Sequence, residues 1–101
     1  MAHDEKLLHR AIQIAADARA HGNHPFGALL ADAEGKILLE AENSVVTDRD
    51  VTAHAELNLM RLASQKYSAD VLKECTLYTS TEPCPMCAGA IFWGDVGRVV
   101  Y

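Results

Sequence analysis

The stretch TEPCPMCAGA, residues 81 to 90, and the stretch TAHAEL, residues 52 to 57, together constrain this chain more than any other feature. The first holds Cys84 and Cys87, with Pro83 and Pro85 on either side of Cys84. The second holds His54 and Glu56 in an H-x-E spacing. If these residues act together, the fold must bring two distant segments to one point. Proline is tolerated in a first helical turn, so a helix is predicted to start near Cys84 or Pro85. Positions i and i+3 share a helix face, so both sulfurs point the same way. Thr52 is a candidate N-cap for a helix from about Ala53 to Ser64, with Leu57, Met60 and Leu62 supplying apolar surface.

The rest of the chain supplies the frame. Residues 4 to 21 carry Leu7, Leu8, Ala11, Ile12, Ala15 and Ala18 at helical spacing, and Gly22 stands after them as a stop. FGALLADAEGKILLEAENSVV reads as two strands around the turn Ala33-Glu34-Gly35-Lys36. CTLYTS and RVVY are short strands of β-formers. The order is α-β-β-α-β-α-β. Strands separated by helices imply parallel crossovers, hence an α/β sheet with helices on its faces.

A length of 101 residues predicts a single domain, 1–101, with a small core. Half the residues are hydrophobic and 23% are charged, as in a soluble globular domain. The formal net charge of −5 gives no electrostatic footprint for a polyanion or an anionic membrane. No apolar run approaches the ~18 residues of a membrane span. MAHDEKLLHR is too charged for the core of a signal peptide, so a cytoplasmic location is expected. There the three cysteines suit metal binding or catalysis better than a disulfide framework.

By itself, C-x-x-C at a helix start allows a redox pair, half of a structural zinc site, or part of a catalytic metal site. A closed structural site wants four protein ligands. His54, Cys84 and Cys87 make three, a set right for Zn2+ with one open position for water. A helix N-terminus favours thiolate, and open α/β sheets bind ligands at such an edge. Glu56 is left with no structural task and can move protons beside the metal.

H-x-E followed by P-C-x-x-C is the signature of zinc nucleobase deaminases. TAHAE with TEPCPMCAGAI resembles the cytidine-deaminase-like superfamily, from the first helix to Tyr101. The branch of bacterial guanine deaminases, tRNA adenosine deaminases and fungal-type cytosine deaminases is the most similar. HPFGALL, AENSV and PCPMCAGAIFW resemble the guanine deaminases. The resemblance implies a three-layer fold, a mixed sheet with helices on both faces. It also implies a cytoplasmic hydrolase of purine metabolism acting on C–N bonds in amidines, guanine giving xanthine and ammonia. His54, Cys84 and Cys87 become the zinc ligands and Glu56 the proton shuttle. Asn43 and the backbone of Ala55 become contacts to the base, and Phe26 and Trp93 the walls of its pocket. Members of this branch commonly form homodimers. They continue beyond the point matched by Tyr101 with a further strand and helix, so this chain reads as C-terminally short.

Other readings stay open for several residues. Trp93 also fits a core or interface position, Phe26 a core position, and Asn43 the cap of a turn. Cys75 reads as a small buried residue, Glu82 as a helix cap or a neighbour of the metal ligands. A tRNA adenosine deaminase has the same chemistry, though the net charge counts against it. A cytosine deaminase has a smaller ring pocket. A zinc-binding scaffold without catalysis is the alternative of another class, and it leaves Glu56 unexplained.

Overall fold

The structure, a computed structural model, describes residues 3–101. Four strands form one sheet in the order β2-β1-β3-β4. They are β1 (Gly27–Ala31), β2 (Ile37–Glu42), β3 (Thr76–Thr79) and β4 (Arg98–Val100). β1 pairs antiparallel with β2 and with β3, and β3 pairs parallel with β4. The sheet is therefore mixed, as expected. β1, an inner strand with the sequence GALLA, is buried at all five positions because helices cover both of its sides.

Alternation along the strands sorts two cores. Leu29, Ala31 and Tyr78 pack with Leu7, Ala11 and Ile14 of α1 (Asp4–Ala20). Ala28, Leu30 and Leu77 pack on the other face with Leu59, Met60 and Ala63 of α3 (Ala55–Lys66) and Ile91 of α5 (Pro85–Trp93). Full burial of Leu29, Leu30, Leu59, Leu72 and Leu77 contributes about 1.5–3 kcal/mol each. Gly27 is where α1 presses closest, since a Cβ there would meet Ala11 O and Ala15 N at 2.6 Å. α1 stops as its sequence predicts. Gly22 takes φ +92°, and the amides of Gly22 and Asn23 return to the carbonyls of Arg19 and Ala18.

Four expectations need correction. Ile12 faces solvent, and Ile14 takes its place on the buried stripe beside Ala11, Ala15 and Ala18. On α3, Leu62 is exposed and Leu59 carries the packing. Thr52 does not cap α3. Its amide and hydroxyl both go to Asp50 Oδ1, at 2.9 and 2.6 Å, closing a local turn, so the helix begins later with His54 as its cap. Two short helices were not expected, α2 (Val45–Asp48) and α4 (Ala69–Leu72). Both are single turns held by side chains, too short to show periodicity. Ser68 caps α4. Asn23 Oδ1 accepts from the amides of Val46 and Thr47, and Asn43 Oδ1 from that of Val45, which fixes α2. No helix among the described residues is long and apolar enough to cross a membrane.

Candidate active site

β2 and β3 flank β1 and are both antiparallel to it, so they run in the same direction and end at one edge of the sheet. α3 and α5 follow them and start beyond that edge, as the topology requires. His54 is the N-cap of α3 and Cys84 the N-cap of α5, each with extended backbone. Cap positions prefer Ser, Thr, Asp or Asn, whose side chains bond the free amides. Here neither side chain makes a cap hydrogen bond. Both turn instead toward each other.

Cys84 Sγ lies 3.5 Å and Cys87 Sγ 3.7 Å from His54 Nδ1. The donor atoms of all three residues lie within 4.8 Å of one another. All three cysteines of the chain are free, so the pair is not a disulfide. Burial, with Glu56 and Cys84 adding to it, pushes the Cys87 thiol up to about 12. A cation among these atoms would reverse that balance by stabilising thiolate. Two sulfurs and an imidazole at one point fit a zinc ion, with a fourth position left for a small ligand.

Glu56 stands in the first turn of α3 and is only 4% exposed. Burial pushes its carboxyl above the usual range, while its own backbone amide, the Thr79 hydroxyl and His54 pull the other way. Beside it is a cavity of about 120 Å³ lined by Phe26, His54, Glu56, Thr81, Glu82 and Cys84. The chain thus brings together His54, Cys84, Cys87, Glu56 and Phe26. Ala55 is buried between His54 and Glu56. Asn43 is buried as well, with its Oδ1 engaged in holding α2.

Trp93 does not line that cavity. It is 82% exposed at the far end of α5, stacked edge-on with Phe92 at 5.3 Å. It lines a separate groove with Leu57, Met60, Arg61, Ser64, Ala90 and Gly94. Trp93 stands six residues beyond Cys87 on α5, a rise of about 9 Å along the helix. Sequence reasoning missed Thr81 as a lining residue and Asn58 as a brace. Asn58 Nδ2 donates to Glu42 O and Ser44 Oγ, both at 3.0 Å, tying α3 to the segment that follows β2. A polar residue on a mostly apolar helix face was the only available sign of it.

Residues 1–101 match the family described as the cytidine and deoxycytidylate deaminase zinc-binding region. A probable cytosine deaminase of Schizosaccharomyces pombe is 45% identical over 98 residues, covering 97% of this chain and 59% of its own length. A tRNA-specific adenosine deaminase of Haemophilus influenzae is 39% identical, over 97% of this chain and 57% of its own. The crystal structure of guanine deaminase from Bacillus subtilis superposes with a TM-score of 0.84 at 42% identity, over 94% of this chain and 60% of that one. The chain therefore spans about three fifths of the length of these relatives. It belongs to the cytidine and deoxycytidylate deaminase zinc-binding family.

Proposed function

We propose that this chain carries the zinc site of a hydrolytic nucleobase deaminase, acting on guanine to give xanthine and ammonia. One observation carries the reading: His54 and Cys84 of a zinc-type donor set and the buried carboxyl of Glu56 border the same small cavity. A structural zinc has no use for that carboxyl.

His54, Cys84 and Cys87 would hold the metal. When bound, zinc supplies a Lewis acid that lowers the pKa of a water toward ~7. Glu56 takes a proton from the attacking water and gives it to the ring nitrogen beside the aminated carbon. The water oxygen bonds to that carbon. Glu56 carries a second proton to the departing amine, the C–N bond breaks, ammonia leaves and a carbonyl remains. Proton transfer by a placed carboxyl is worth about 10²- to 10⁴-fold in rate. Phe26 offers a ring face to the base. Asn43 has committed its oxygen to Val45, so its NH2 is what it offers an acceptor on the base. The backbone beside Ala55 is the second contact.

Guanine is supported by the resemblance of HPFGALL, AENSV and PCPMCAGAIFW and by the superposition on a guanine deaminase. Cytosine is the second reading, favoured by the small cavity and by the yeast relative. A tRNA substrate is disfavoured by the net charge of −5. We assign the face bearing Phe92 and Trp93 to a second copy of the chain. The protruding rings and the apolar groove lie side by side, as a self-complementary two-fold contact needs.

The test is ammonia release by the zinc-loaded protein offered guanine, cytosine or a tRNA in parallel. Release from guanine alone is expected. Release from cytosine alone transfers the reading to that base. No release from any of them, with one zinc bound per chain, would leave a scaffold and end the catalytic reading.

A further inference from the structure

Thr79 Oγ1 is, among the described residues, the buried side-chain polar atom that has no hydrogen-bond partner. Its residue is fully buried. An unpaired buried hydroxyl costs stability, and valine has nearly the same shape without that cost. β3 is otherwise built of conventional strand residues, so the position breaks a local rule where nothing in the packing asks for it.

The surroundings supply the reason. Thr79 is the last residue of β3, at the edge where α3 and α5 begin. Its neighbour Tyr78 points into the α1 core, so Thr79 points to the opposite face, toward α3. The Glu56 carboxyl is buried as well, and the Thr79 hydroxyl pulls its pKa down, so the two side chains are neighbours.

We propose that Thr79 is a positioning residue for Glu56, its hydroxyl holding one carboxyl oxygen while the other faces the cavity. The assignment rests on the proton-shuttle role of Glu56. A hydroxyl both donates and accepts. By donating to one carboxyl oxygen of Glu56 it fixes the direction in which the other points. Serine can do this; valine and alanine cannot.

The experiment uses zinc-loaded parent protein with Thr79→Val, Thr79→Ser and Thr79→Ala. In the Val variant kcat should fall about tenfold or more, the loss of one hydrogen bond to a charged group, with KM nearly unchanged. Zinc should remain at one per chain. The Ser variant should recover most of kcat. If the Val variant does not fold, the Ala variant must show the same loss of kcat. Parent-level kcat in a folded Val or Ala variant would overturn the inference and leave the deaminase reading standing. So would a Ser variant as slow as the Val variant. A parent that releases no ammonia from any base overturns the deaminase reading, and this inference falls with it.

Discussion

Tyr78 and Thr79 are consecutive residues of one strand and point to opposite faces of the sheet. On the α1 side the Tyr78 hydroxyl donates to Asp4 Oδ1 at 2.6 Å, and Arg98 closes an ion pair with the same carboxyl. Every partner there is protein, and the network ties the first helix to the third and fourth strands. On the other side Thr79 is unpaired, Glu56 is buried with its carboxyl beside a cavity, and two helix caps decline to cap. On the α1 face these polar groups are paired with one another. The other gives up local satisfaction at the points where a metal, a water and a base would enter. Among the described residues, the buried side-chain oxygen without a hydrogen-bond partner and the imidazole–thiol cluster both lie at one sheet edge.

That contrast can be broken or sharpened experimentally. The largest effect is expected from Cys87→Ser. It should remove bound zinc, measured as metal per chain, and reduce ammonia release by at least about 100-fold, since even residues behind the metal ligands are worth about 10- to 100-fold. Glu56→Gln should leave one zinc per chain and lower turnover about 10²- to 10⁴-fold. Loss of zinc in that variant would make Glu56 part of the scaffold of the site.

On the other face the effects should be smaller and confined to stability. Tyr78→Phe removes a donor to a charged acceptor and should cost about 1–2 kcal/mol of unfolding free energy in a denaturant titration, with turnover and zinc content unchanged. A drop in turnover would erase the distinction between the faces. The hydrogen bonds of Arg98 and Tyr78 hold the Asp4 carboxyl well below the usual carboxylate range. A lowered pKa stabilises the fold above the unfolded value and loses that contribution as pH falls through the folded value. Melting temperature should therefore decline as the solution is acidified below about pH 4, and less steeply in Asp4→Asn.

The smallest effect belongs to His21 at the end of α1. Its Nδ1 lies 2.8 Å from Glu42 Oε2, and that contact, helped by Asp17, raises its pKa. A raised pKa contributes stability below the unfolded value near 6.5, lost as pH climbs through the folded value. His21→Gln should lower the melting temperature slightly at pH 6 and leave it unchanged at pH 9. An equal change at both would assign the contact to packing.

The sequence is legible wherever physics acts over a few residues. The helical stripe of α1, the stop at Gly22, the strand runs and the proline-led start of α5 could all be read from it, because periodicity and turn chemistry are local. The metal-type set was legible for a related reason. Few combinations of His, Cys and Glu at such spacings have another use, so the likeness to zinc deaminases could be seen before any coordinate. Less legible were the true start of α3, hidden because Asp50 competes for Thr52, and the two one-turn helices, which are too short to repeat.

What only the tertiary structure decided is which distant residues share a space. It set His54 and Cys84 as caps of two parallel-running helices and drew their side chains to 3.5 Å. It left Trp93 exposed beside a groove and outside the lining of the small cavity. It gave Thr79 a partnerless place behind Glu56, which no pattern along the chain could reveal. Residue type by itself determined the chemistry available to this protein; the packing of the sheet determined which of those groups meet, since contact between remote positions depends on strand direction and helix length together.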